Sequence, residues 1–383
     1  MEEKTIQNKK RTLTINVRLR SFAMVGALIV IWLLFTLLTH GTFLSMRNIS
    51  NLFRLTGIMG VLVIGMVGCL VSGVFDLSIG SVVGLTGAIT GILLEQVGVN
   101  YILALFISLI FGLLIGMWQG FWIAYRGVPA FIVTLGGMMI FRGITVLITN
   151  GCSIPISNHQ FAIFGQGYLP RWVSIVIGAI VVVLFIISDL SKRKKRLSYG
   201  FNISSALMAG IKYTVVLLFV ALFVVSLNSY QGLPLAVVIL IVLYFLFAFI
   251  YNKTKYGRYV YAVGGNQVAA KLSGINIKRI YMRVFMLMGL LSALGGNILT
   301  SRLATATPNA GNGFELDAIA SCVIGGISLA GGRGQLFGAM VGTLVMTSLA
   351  NGMSLMNMTA AWQDVVKGLI LLFAVWFDVS YKK

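Results

Sequence analysis

Residues 101–124 read YILALFISLIFGLLIGMWQGFWIA, a stretch without one charged side chain. A helix needs about 20 apolar residues to cross the hydrocarbon core of a bilayer, so this stretch is long enough to span one. Gly112, Gly116 and Gly120 recur in it at every fourth position. Such a face lets two helix backbones approach closely in lipid. Working outward, similar apolar stretches lie near 21–39, 55–73, 77–94, 129–149, 172–189, 212–228, 234–251, 284–300, 316–330, 335–351 and 364–379. Together they predict an all-α polytopic membrane protein with about 12 hydrophobic segments. The expected organisation is an N-terminal tail over 1–20 and one transmembrane domain over 21–383. Polar residues interrupt the segments at 77–94 and 316–330, which makes them candidates for broken or partly re-entrant spans. Gly334, Gly338 and Gly342 form a second expected packing face.

Composition agrees. Hydrophobic residues make up 58% of the 383 and charged residues 10%, and the mean hydropathy is +0.97. Soluble domains carry about 25% charged residues, so a soluble fold is excluded. The net charge of +20 raises the question of nucleic acid, but its placement answers it. Basic residues cluster over Lys4–Arg20, Lys192–Arg196 and Lys253–Arg283, whereas the alternate loops hold mainly Arg47, Arg54, Arg171 and Arg302. That asymmetry is the positive-inside pattern, which sets orientation. It places both termini, a basic loop over 190–211 and a second loop over 252–283 in the cytoplasm, and nucleic acid is not an expected partner.

Few side chains are suited to chemistry. Of nine acids, Asp76 in GVFDLSIGS and the pair Glu315 and Asp317 in GFELDAIAS interrupt apolar sequence. An ionised acid at mid-membrane costs about 2.5–3.5 kcal/mol on the insertion scale, so each needs a partner, water or a helix end. Asp76 either caps a helix starting near Leu77 or takes part in transport or gating. Glu315 and Asp317 either cap a helix or pair with Arg302. No catalytic constellation and no metal-ligand spacing is present: there is no H-E-x-x-H, and His40 and His159 are the only histidines. No G-x-x-x-x-G-K-S/T sequence exists, so no nucleotide is expected to bind by that route. Trp118, Gln119, Asn297 and Asn351 are polar or amphipathic residues inside apolar segments. They are candidates for lining or gating a path for a neutral polyol, or for bonding a neighbouring helix.

The stretch YGRYVYAVGGNQVAAKLSGINIKRIYMR, residues 256–283, is different in kind, with five basic residues and no acid. Asn266 is a good N-cap after Gly264 and Gly265, Ala269 and Ala270 favour helix, and Gly274 is a natural stop after Leu272 and Ser273. A helix this short is not stable alone. It either anchors to the membrane surface or docks in a partner's groove.

At this stretch the chain resembles the permease subunits of bacterial sugar ABC importers, more narrowly the xylose type of the ribose/xylose branch. The resemblance rests also on GVFDLSIGSVVGLTGAIT, WIAYRGVPAFIVTLGGMMIFRGITVLITNG, GNGFELDAIASCVIGGISLAGGRGQLFGAMVGTL, WQDVVKG and VVKGLILLFAVWFD, and runs from about residue 20 to the end. It implies a transmembrane subunit in the bacterial inner membrane that moves a monosaccharide, xylose or a related pentose or hexose. ATP and Mg would bind to a separate ABC ATPase and no cofactor to this chain. An extracytoplasmic sugar-binding protein and a second permease copy would complete the importer. The coupling segment maps onto Gly264–Ile275, centred on Asn266, Ala269, Ala270, Leu272, Ser273 and Gly274. The family's Glu-Ala-Ala pattern is altered here, because Val268 stands in the acid's place and no Leu-Pro follows. Ten segments form the expected core, and an inserted helix pair near 171–230 gives the xylose type its extra length. The alternative to this reading is a proton-coupled secondary transporter that titrates Asp76 or Glu315 and Asp317.

Overall fold

The computed structural model describes residues 24–201 and 205–380, so the tail over 1–20 lies outside the described residues. The architecture is all-α. In chain order come α1 (Met24–Leu38), α2 (Met46–Val71), α3 (Ile79–Glu95), α4 (Tyr101–Ala124), α5 (Ala130–Thr149) and the short α6 (His159–Gln166). Next are α7 (Arg171–Ser198), α8 (Ala206–Asn228), α9 (Leu235–Lys253), α10 (Lys255–Gly265) and α11 (Gln267–Leu272). Last come α12 (Ile277–Leu303), α13 (Phe314–Ile324), α14 (Leu336–Leu355) and α15 (Ala360–Ser380). Among the described residues, eight helices are long and apolar enough to cross a bilayer: α2, α4, α5, α7, α8, α9, α12 and α14.

Two helices form the axis. In their most apolar windows, 89% of α2 and 78% of α12 is buried inside the protein. A helix apolar on every side is at home in such a position. The predicted glycine face of α4 is what seats α12. A Cβ on Gly112 would lie 2.5 Å from both Ala293 Cβ and the Gly289 carbonyl, one on Gly116 would collide with the Phe285 carbonyl, and one on Gly120 would press on Met282. The second glycine face holds only in part. Gly338 and Gly342 pack α14 against Gly325 and Ser321, but Gly334 lies before the helix, in a turn at φ +136°.

The segment expected over 316–330 is indeed broken. Helix α13 has 11 residues, about 16 Å long, roughly half of a ~30 Å hydrocarbon core. Before it, residues 304–313 run alongside α3, with Ala306 near Gly91, Ala310 near Gly84 and Gly311 near Gly80. Only Thr305–Ala306 of this stretch is strand and the rest is turns, and irregular chain inside a membrane domain leaves carbonyls without partners. Arg142 of α5 supplies them, its guanidinium donating to Pro308 O at 2.6 Å and Ala310 O at 3.0 Å. The glycines of α3 leave the room. The other suspect segment, 77–94, is a continuous helix, α3.

Short antiparallel strand pairs tie the links at one end. Strand β1 (Ile154–Pro155) pairs with β4 (Thr305–Ala306), and β2 (Tyr168–Leu169) with β3 (Leu233–Pro234). The opposite end carries α10, α11 and the basic tip of α7, and is called the basic end below.

The expected basic loop over 190–211 is mostly helix. α7 runs through Lys192–Arg196 to Ser198, because lysine and arginine are good helix formers and suit the negative end of the helix dipole. The inserted pair is a peripheral hairpin: 17% of α7's apolar window and 6% of α8's is buried. Gly178 of α7 admits Val220 and Val224 of α8, and Asp189 pairs with Lys212 at 2.5 Å. The pair rests on the body through Phe223, edge-on to Phe53 at 4.6 Å between centroids.

Gly116→Leu is expected to lower the thermal stability of the detergent-solubilised protein, since overpacking costs typically 1–3 kcal/mol and here the obstacle is backbone. Gly210→Leu, on the open face of α8 with nothing within 4 Å, is expected to leave the melting temperature unchanged.

Candidate functional site

The basic end is assembled on a contact between main chains. A Cβ on Gly264, at the end of α10, would collide with the carbonyl of Val71, the last residue of α2. That same carbonyl accepts the Gly332 amide at 2.8 Å. Gly332 lies in the glycine-rich turn between α13 and α14, and a Cβ there would sit 2.5 Å from Gly265 Cα. Three chain segments thus meet with no side chain between them. Tyr261 reinforces the join by donating to the Gly334 carbonyl at 2.9 Å. Burial pushes the phenols of Tyr256 and Tyr261 above their ordinary range.

On this base stands α11. Asn266 caps it as expected, its side chain accepting from Ala269 N at 2.9 Å. Gly274, at φ +78°, ends the turn with its amide bonded to Lys271 O. Asn276 then caps α12 by accepting from Arg279 N at 3.1 Å. Ala270 is the one buried residue of α11. Val268 and Leu272, one turn apart, are 69% and 84% exposed. Ala269, Lys271 and Ser273 are exposed beside them. The result is a single braced turn with an apolar ridge pointing away from the protein. Lys278 and Arg126, whose cations stack over Tyr125 and Phe121, lie at the foot of α12 and the end of α4.

The other candidates are spread through the body. Asp76 precedes α3 and is buried. Its carboxylate accepts from Ser78 N at 2.8 Å and Ser78 Oγ at 2.7 Å, and Ser78 Oγ accepts from Gln119 Nε2 at 2.6 Å. Helix α3 starts at Ile79 with Ser78 as N-cap, so Asp76 shapes the approach to the helix and, through Gln119, ties it to α4. Asn297 bridges three helices, accepting from Thr90 at 2.6 Å and donating to Ser108 at 3.0 Å. Asn351 donates to Asn48 at 3.0 Å. Trp118 stands apart on the outer face of α4, edge-on to Phe141 at 5.9 Å.

Arg302 is not the partner of the acid pair. It donates to Asn51 at 3.1 Å, whereas Asp317 pairs with Lys367 of α15 at 2.8 Å and Glu315 lies within electrostatic reach of Arg142. Geometry separates them: Arg302 ends α12 and both acids lie in the first turn of α13, where they also suit the helix dipole. Arg142, Lys367 and the turn at Gly332 are contributions that sequence reasoning missed. The available signals were an arginine inside an apolar segment and the G-G-R-G run over 331–334.

Residues 48–375 match the profile of a family described as "Branched-chain amino acid transport system / permease component". The chain belongs to this permease family. Among curated relatives, the permease is 44% identical over 370 residues to the xylose transport system permease protein of Escherichia coli, covering 96% of this chain and 94% of that one. It is 43% identical over 368 residues to the protein of the same description in Haemophilus influenzae, covering 96% and 98%. To the ribose import permease protein of Bacillus subtilis it is 32% identical over 339 residues, covering 88% and 86%. No solved structure gives a significant match. The permease is therefore a multi-pass membrane transporter subunit.

Gly264→Val is expected to break the three-way join and expose the turn at Gly332 to protease in native membranes. Gly265→Ala, with nothing nearer its Cβ than Gly332 Cα at 3.9 Å, is expected to keep the wild-type digestion pattern.

Proposed function

We propose that the permease is the membrane-spanning subunit of an ATP-driven importer of a monosaccharide, xylose or a related pentose or hexose. The observation that carries this reading is α11: a capped, braced turn whose Val268 and Leu272 point outward at the basic end. Exposed apolar side chains one helical turn apart are the form in which a short helix docks in a partner's groove. The partner in this reading is an ABC ATPase, which holds the ATP and Mg, while this chain binds no cofactor. The relatives described as xylose permeases support the sugar, since identity to them exceeds identity to the ribose protein by 44% to 32%.

The positive-inside rule puts the basic end in the cytoplasm. Met24 of α1 and Ser380 of α15 then face the cytoplasm too, because α2 returns to the basic end at Val71 and each later crossing alternates. An extracytoplasmic sugar-binding protein meets the opposite end, around β1 to β4. A second copy of the permease completes the path.

Coupling follows from connectivity. α12 starts five residues after α11 and runs 27 residues to the opposite end, about 40 Å as one helix. A push on α11 displaces the foot of α12 and, through Gly264, the foot of α2. These are the two most buried long helices, so the motion enters at the centre of the bundle.

In proteoliposomes holding the permease with its ATPase and sugar-binding protein, ATP is expected to drive xylose uptake that a protonophore leaves unchanged. Leu272→Asp is expected to weaken ATPase attachment by about 2 kcal/mol, the scale of an interface hot spot, and to abolish uptake while the permease stays folded. Full uptake by Leu272→Asp overturns the docking role, and uptake independent of the ATPase overturns the importer reading.

A further inference from the structure

The acid–lysine group at α13 has a feature that helix packing leaves unexplained. Asp317 is 6% exposed. One of its carboxylate oxygens accepts from Lys367 at 2.8 Å. The other, Oδ1, is buried without any hydrogen-bond partner. A buried carboxylate oxygen with an empty acceptor position is costly, and buried polar atoms are nearly always satisfied by protein, water or ligand.

Asp317 lines a cavity of about 270 Å³ between α13, α14 and α15, far larger than the ~30 Å³ share of one water. Its polar wall also holds Glu315, Asp364, Lys367 and Asn312. Three carboxylates against one ammonium give an excess of acceptors beside a single strong donor. Leu316, Met346 and Leu371 supply an apolar wall. Among the described residues no group of three or more acid, histidine or cysteine side chains is placed to hold a metal ion, so these carboxylates do not converge on a cation. Carboxylates, an ammonium and an amide on one wall instead offer the acceptors and donors that a ligand with several hydroxyls needs. Each hydroxyl donates to a carboxylate or accepts from the ammonium, while ring C–H groups rest on the apolar side.

We infer that the cavity between α13, α14 and α15 is a transit subsite for a neutral monosaccharide. Asp317 Oδ1 and Asp364 accept from sugar hydroxyls, and Lys367 donates to a third oxygen while holding Asp317 in place. The inference rests on the importer reading above and names the side chains that touch the sugar on its way. A subsite of this kind binds weakly, since a tight one would hold the cargo.

The test is saturation-transfer NMR with D-xylose on the full-length permease alone in nanodiscs, beside uptake by the complete complex. Wild type is expected to transfer saturation to the sugar ring protons. Asp364→Asn, at an exposed position that leaves the fold intact, and Lys367→Met are expected to reduce that transfer at least fivefold. Leu272→Asp is expected to keep the transfer while losing uptake. Absence of transfer in wild type, or equal transfer in Asp364→Asn and Lys367→Met, overturns the subsite. If the complex still imports xylose on ATP in that case, the importer reading stands alone. If uptake also fails, that reading falls with it.

Discussion

The contact between α4 and α12 is the constraint on which the rest of the structure depends. Lipid offers no hydrophobic drive for helices to associate, so close backbone packing must supply the attraction. At Gly116 the approach is so close that a single methyl group would collide with the Phe285 carbonyl. Held there, α12 becomes a central rod from α11 to the strand pairs. It also ties the other elements along its length. Asn297 bonds Thr90 and Ser108, while Ser301 accepts from Gly165 and donates to Phe161, which fixes α6. Moving α12 therefore moves contacts at every depth.

The polar residues inside the bundle fall into two kinds. Gln119, Asn297 and Asn351 are buried and bonded to neighbouring helices, so they hold the body together. Arg142, Glu315, Asp317 and Lys367 surround the broken span at α13. The turn-rich chain beside α3 needs a donor, which Arg142 provides. The first turn of α13 draws acids, and those acids need a cation, which Lys367 provides for Asp317. A broken span thus concentrates charge where an unbroken one would exclude it. That is where a polar cavity forms.

The α7–α8 hairpin shows the opposite economy. Its faces are largely left to lipid, and its link to the body is a small apolar cluster of Ile49, Leu227, Leu233 and Val237 near the strand pairs. Such an addition lengthens the chain without disturbing the axis of α2 and α12. Helices α10 and α11 gain no contact from it among the named joins.

Much of this was legible in the residues. Long apolar stretches name the membrane class, and each of the twelve has a helix. Gly112, Gly116 and Gly120 name a packing face because a four-residue spacing lines up on one side of any helix. Asn266 and Gly274 bound α11 because capping is local chemistry. What the sequence could not say is which distant segment fills each gap. Nothing near Gly264 in the chain announces Val71 or Gly332, and nothing near Asp317 announces Lys367 fifty positions on. Polar residues marked 316–330 as a candidate for a broken span, but not that turn-rich chain would precede a half-helix there, because that depends on Arg142 arriving from α5. Local patterns determined the helices and their caps. The meeting of backbones at glycines and of charges across helices was decided only by the tertiary structure, since both require atoms from remote parts of the chain to occupy one place.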